Sequence, residues 1–141
     1  MTSIPDSARA VLESSALAHL VTLNPDGSPQ VTVVWVGVDG DDLVTAHLPH
    51  NQKVRNMERD PRVVLSFLAP HEEGAFLQPY AAVRARATVT PSDEAWDVLD
   101  RLGRTYVGPD VTFPAPRSPG YVVRYAVERV GGIGPWASPE P

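Results

Sequence analysis

No cysteine occurs among the 141 residues. Disulfides, thiolate metal ligands and a cysteine nucleophile are thereby excluded. Excess positive charge is missing too. The net charge is −5, which removes general nucleic-acid binding from the expected partners. No apolar run reaches the ~20 residues of a membrane-spanning helix. Met1–Asp6 lacks the basic start and apolar stretch of a secretory leader, so a cytoplasmic protein with no membrane partner is expected. Neither a Walker loop nor a Gly-x-Ser-x-Gly elbow is present. The four histidines form no helical pair at metal-ligand spacing, and His47 and His50, the one close pair, have no carboxylate nearby in sequence. No metal site is expected. His19, mid-strand, reads as a structural histidine with satisfied hydrogen bonds.

What is present suits one globular domain spanning 1–141, with 43% hydrophobic and 21% charged residues. Ala8, Val11 and Leu12 form an apolar stripe on a helix over about 5–14, with Ser3 or Asp6 as its cap. Strands are predicted over 17–23, 30–38 and 42–48, joined by the turns Asn24-Pro25-Asp26-Gly27 and Asp39-Gly40-Asp41. These three strands read as a meander. A short helix begins near Lys53 and ends at Asp60-Pro61, because the residue before proline is disfavoured in the helical region. Further strands are predicted over 62–68, from Tyr80 to Val89 and from Tyr121 to Val130. Between the last two, Trp96, Leu99 and Leu102 mark a helix, followed by a proline-rich loop from Gly108 to Gly120. Trp96 is expected in the core, and a frayed tail over about 137–141. Six strands, three short helices and no β-α-β alternation predict a mainly β fold, an antiparallel sheet closed into a small barrel.

Lysine is almost absent, and Lys53 stands alone against eleven arginines. A compact, strongly hydrated ammonium at a strand-to-helix turn suits an anion, because helix-start N–H groups favour negative charge. Asn51 and Gln52 add two amides, and no acid follows until Glu58. The turn from Ala46 to Asn56 is therefore a candidate phosphate or carboxylate site. Trp35, Tyr106, Tyr125 and Trp136 could cover a flat ring, with core packing as the alternative role.

These features, in this order, resemble the flavin/deazaflavin oxidoreductase superfamily, whose members have the pyridoxamine-phosphate-oxidase-like split barrel. The matching residues are Asn24-Pro25-Asp26-Gly27-Ser28-Pro29-Gln30, then Lys53-x-x-Asn56, then Arg59-Asp60-Pro61-Arg62-Val63. Glu128-Arg129-Val130 before a glycine-rich turn and Trp136 also fits. The likeness spans about 8–136 and is nearest to small actinobacterial-type proteins that use coenzyme F420. It implies a six-stranded split barrel and a homodimer with cofactor sites at the interface. It further implies that Lys53, Gln52 and Asn51 hold the cofactor phosphate. Ala46 and His47 would approach the tricyclic ring, with Thr32, Val33 and Val34 at its other edge and Trp136 contributed by the partner subunit. Relatives often carry Ser-Arg-Lys or Gly-Arg-x-Lys where this chain has Asn51-Gln52-Lys53, and a threonine where it has His47.

The expected chemistry is hydride transfer from reduced F420 to an electron-poor small molecule, with the protein binding and orienting the ring. No catalytic acid or base is assigned. FMN is the alternative cofactor, and a flavin- or deazaflavin-binding protein without turnover is the alternative from another class. Arg55, Arg59 and Arg62 would serve the acidic tail that F420 has and FMN lacks.

Overall fold

The Asn24–Gly27 turn closes as its residue types dictate. Gly27 takes φ +86°, a region L side chains avoid, and the Asp26 carboxylate accepts from the Ser28 N–H at 3.0 Å. The turn joins β1 (Ala18–Leu23) to β2 (Pro29–Val34), antiparallel along their length. In this computed structural model, which describes residues 3–137, β2 stops at Val34. After Trp35 and Val36 the chain resumes as β3 (Gly37–Asp39), which hairpins into β4 (Asp42–His47). The remaining strands are β5 (Arg62–Leu68), β6 (Tyr80–Ser92) and β7 (Gly120–Ile133). The tail expected over 137–141 falls, from 138 onward, outside the described residues.

The sheet order is β2-β1-β5-β6-β7-β4-β3. The strand expected over 30–38 is thus two strands, and the sheet has seven strands, not six. The expected meander does not form, since β2 pairs with β1 while β3 and β4 lie at the opposite edge. Val34 and Gly37 are three Cα steps apart, so these edges are no more than roughly 11 Å apart there. The sheet must curl until its edges nearly meet. No ladder joins β2 to β3 among the described residues, so the barrel stays split, as the family resemblance implies.

Alternation along the strands fills the barrel. Leu20, Leu65, Phe67, Val83, Val123 and Tyr125 are all buried in one core. Strand β4 is buried on both faces: Leu43 points into the barrel, while Val44 and Ala46 pack against a helix outside. That helix is α3 (Ala95–Tyr106), which buries Ala95, Val98 and Leu102. Trp96 is only half-buried and turns away from the barrel core. Helix α1 (Asp6–Leu12) buries Ala8, Val11 and Leu12 as predicted, but Pro5 is its N-cap residue and no side chain caps it. Helix α2 (Gln52–Arg59) buries Val54 and Met57 and ends at the extended Asp60. Among the described residues no helix is long and apolar enough to cross a membrane.

Close approach of β7 to β4 requires glycine at 120. A Cβ there would lie 2.4 Å from the His47 carbonyl oxygen and 2.9 Å from Leu48 Cα, both backbone atoms. Gly120→Ala is expected to destabilise the protein by about 1–3 kcal/mol or more, read as a lower urea midpoint.

Candidate functional site

At the end of β4 the chain leaves the barrel wall and turns into α2. Asn51 caps this helix, its side chain accepting from the Val54 N–H at 3.3 Å. Gln52 is engaged at both ends: its amide nitrogen donates to Asn56 at 2.8 Å and its oxygen accepts from Arg55 at 2.9 Å. Asn56 is fully buried and hydrogen-bonded to the side chains of Thr22, Asn24 and Gln30 at 3.0–3.2 Å. These bonds fasten α2 across the barrel mouth to β1 and β2. Both amides expected at the phosphate therefore bind protein. What α2 offers at its start is the Lys53 ammonium and the N–H groups of Gln52 and Lys53, which have no partner among the described residues. Lys53 is half-buried, and that burial lowers its pKa from the ordinary value.

Lys53 borders a cleft of about 260 Å³. Val33 and Val34 of β2 and Ala46 and His47 of β4 line it with Lys53, so five residues named from the sequence meet here. Thr32 is absent from the lining, and its buried Oγ1 has no partner among the described residues. Trp136 is elsewhere: it is buried in its own chain's core, donating Nε1 to the Tyr80 carbonyl at 3.0 Å.

His47 is 7% exposed. Its Nε2 lies 2.8 Å from Thr45 Oγ1, which lies 2.7 Å from the Tyr125 hydroxyl. Burial first, and then the Lys53 charge, lower the His47 pKa from 6.5 to about 4. The imidazole is neutral at pH 7, leaving Lys53 as the cation of the lining. Burial raises the Tyr125 phenol far above its usual range.

Trp35, Leu99 and Phe113 complete the cleft. Trp35 stacks on Tyr106 with centroids 5.8 Å apart and meets Phe113 edge-on at 6.4 Å. Phe113 belongs to the proline-rich loop, which α3 holds in place. The Phe113 N–H donates to Asp100 at 2.8 Å, Trp96 Nε1 donates to the Ala115 carbonyl at 2.8 Å, and Arg117 covers the Trp96 ring at 4.5 Å. Trp96 is thus a peg for this loop rather than the core residue expected. Leu99 was legible only as one residue of a helix stripe. Phe113 carries no sequence signal, because its place depends on partners far along the chain.

Three arginines expected to add charge do not line the cleft. Arg55 donates to the His50 carbonyl, Arg59 donates to the Leu23 carbonyl, and Arg62 pairs with Asp60 at 2.8 Å. His50 Nε2 lies 2.6 Å from a Glu58 carboxylate oxygen, and its ring stacks on Tyr121. His19 is exposed on the outer face of β1, where a satisfied structural role was expected. Among the described residues no group of three His, Asp or Glu could hold a metal ion.

Among known families, the profile described as pyridoxamine 5'-phosphate oxidase matches residues 4–133. The chain belongs to this family. The seven-stranded open barrel is the flavin-binding fold of pyridoxamine 5'-phosphate oxidase. No curated protein matches the chain. Among solved structures, an F420 reductase is 28% identical, with TM-score 0.75, covering 91% of this chain and 98% of that one. A conserved hypothetical protein from Mycobacterium tuberculosis is 20% identical, with TM-score 0.70, covering 94% of this chain and 89% of its own. A heme binding protein from Mycobacterium smegmatis is 21% identical, with TM-score 0.69, covering 95% of this chain and 55% of its own. The last two share the pyridoxamine 5'-phosphate oxidase fold and support no argument beyond it.

A pH dependence follows from His47. The unfolded chain takes up its proton near pH 6.5 and the folded chain near pH 4, so the unfolded state binds more protons in between. The stability due to neutral His47 is complete above pH 6.5 and declines as pH falls toward 4, by up to about 3 kcal/mol. Urea titrations from pH 4 to 7 are expected to show this component in the wild type and not in His47→Gln.

Proposed function

We propose that this protein is an oxidoreductase that binds coenzyme F420 at the Lys53 cleft and serves hydride transfer to an electron-poor small organic molecule. The observation that carries the assignment is a partly desolvated ammonium at a cleft with no acidic side chain in its lining. The donor set suits a phosphate: Lys53 Nζ supplies charge, and the Gln52 and Lys53 N–H groups point from a helix start. Val33, Val34, Ala46 and Trp35 provide apolar walls on which a flat ring could rest. The 28% identity to an F420 reductase across 91% of the chain favours F420 as the occupant.

When bound, a reduced deazaflavin supplies the hydride. The protein's own residues anchor, orient and dry the site. Lys53 holds the anionic arm, the valines and Trp35 exclude water from the ring, and His47 stays uncharged beside it. The phosphate grip that the sequence divided among Asn51, Gln52 and Lys53 is assigned to Lys53 and backbone, with both amides as its support.

One chain supplies part of the enclosure. The cleft's 260 Å³ is below the roughly 300–1,000 Å³ of ligand pockets. Val33 at its rim is 53% exposed and Val31 58%. Val31 pairs with Val21, and Val21 with Val64, so the three lie in one row on the outer sheet face. An apolar face continuous with the cleft fits a homodimer of single-domain chains, with two ligand sites at the interface.

Titration with coenzyme F420 is expected to quench Trp35 fluorescence saturably, and more tightly than FMN does. Unchanged emission with both ligands would remove the assignment. Lys53→Ala is expected to weaken F420 binding by roughly 1–3 kcal/mol with the fold intact, measured by the same titration. Sedimentation at micromolar concentration is expected to give twice the mass of one chain.

A further inference from the structure

The hydroxyls of Tyr125 and Thr45 and the ring of His47 form a buried chain of hydrogen bonds, with steps of 2.7 and 2.8 Å. Leu43 on β4 stands opposite Tyr125 on β7, which makes Thr45 the diagonal neighbour of Tyr125 on the inner face. Tyr125 and Thr45 are both 0% exposed. Among the described residues, Thr45 is the one side-chain partner of the Tyr125 hydroxyl.

Three proton arrangements are conceivable. If His47 Nε2 donates to Thr45 and Thr45 donates to Tyr125, the Tyr125 hydrogen has no acceptor. If His47 and Tyr125 both donate to Thr45, the Thr45 hydrogen has none. If Tyr125 donates to Thr45 and Thr45 donates to His47 Nε2, every buried hydroxyl hydrogen is bonded. Buried donors without acceptors are costly, so the third arrangement is favoured. A neutral imidazole carries one N–H, and here that proton must be on Nδ1. Nδ1 has no partner within the protein among the described residues, and His47 lines the cleft.

We propose that Thr45, its oxygen taken by the Tyr125 hydroxyl, holds His47 in the Nδ1–H form, making it a dedicated hydrogen-bond donor to whatever occupies the cleft. Tyr125 and Thr45 are positioning residues. His47 selects ligands that present an acceptor at that point, a carbonyl oxygen or an unprotonated ring nitrogen, over ligands that present an N–H. This specificity role rests on the assignment of the cleft as the ligand site, whereas the tautomer itself is a property of the free protein.

Long-range 1H–15N correlation of histidine-labelled protein at pH 7 tests the tautomer without ligand, with the His47 signals identified by their loss in His47→Gln. The Nδ1–H pattern is expected, and an Nε2–H pattern overturns the proposal. Thr45→Val is expected to abolish the preference, whereas Thr45→Ser and Tyr125→Phe are expected to keep it, since in both the residue 45 hydroxyl hydrogen still has His47 Nε2 as its acceptor. The two Thr45 variants decide, and an unchanged Nδ1–H pattern in Thr45→Val overturns the relay. Coenzyme F420 is expected to bind roughly tenfold more weakly to Thr45→Val, with recovery in Thr45→Ser. Equal affinity despite a changed tautomer overturns the donor role. Failure of F420 to bind the wild type while the Nδ1–H pattern persists sinks the cofactor assignment and leaves the relay standing.

Discussion

Between Val34 and Gly37 the chain has two residues in which to pass from one edge of the sheet to the other. Laid flat, seven strands would separate those edges by roughly 29 Å. The link can span little more than a third of that. Curling is therefore imposed by connectivity before any side chain packs, and it brings the end of β2 beside the end of β4. The cleft lies at this seam. Val33 and Val34 come from one edge strand and Ala46 and His47 from the strand next to the other edge. Trp35, within the link itself, forms part of the wall.

The second constraint is polar. A helix start over a barrel mouth is held by the Asn56 amide, which reaches three residues of the β1–β2 hairpin. Such a buried amide is tolerable because its bonds are made. With α2 fixed in this way, the Lys53 ammonium stands at the seam in a partly dry setting, and the neighbouring imidazole stays neutral. Charge in the cleft's lining is thus concentrated in the Lys53 ammonium.

Much of this was legible in the chain. The Asn24–Gly27 turn, the start of α2 and the alternation of β6 from Val83 follow local rules, and the structure keeps them. Lys53, His47, Ala46, Val33 and Val34 were recognisable as a group through the family pattern, and the cleft unites them. The break at Trp35–Val36 was hidden, because β-branched residues run through it and propensity alone cannot show a change of sheet edge. The side chains of Asn51 and Gln52 bond within the protein, which the sequence could not show, since a capping amide and a ligand-binding amide look the same in sequence. Arg55 and Arg59 follow the same logic, as backbone carbonyls took cations that the sequence left open for a ligand. Trp96 sat on an apolar helix stripe, yet the helix turned that ring toward the 108–119 loop.

That loop has a consequence for how the protein could diversify. Phe113 reaches the cleft on a segment pegged to Trp96, Asp97 and Asp100 of α3, with no strand of its own. At Phe113 the anchor to Asp100 is the backbone N–H, which leaves its side chain as the part that faces the cleft. Exchange of Phe113 could therefore reshape one side of the cavity while the barrel, its seam and the ammonium stay as they are. The fold thus divides the site into a half built on barrel strands and α2 and a half carried by α3 and the loop it anchors.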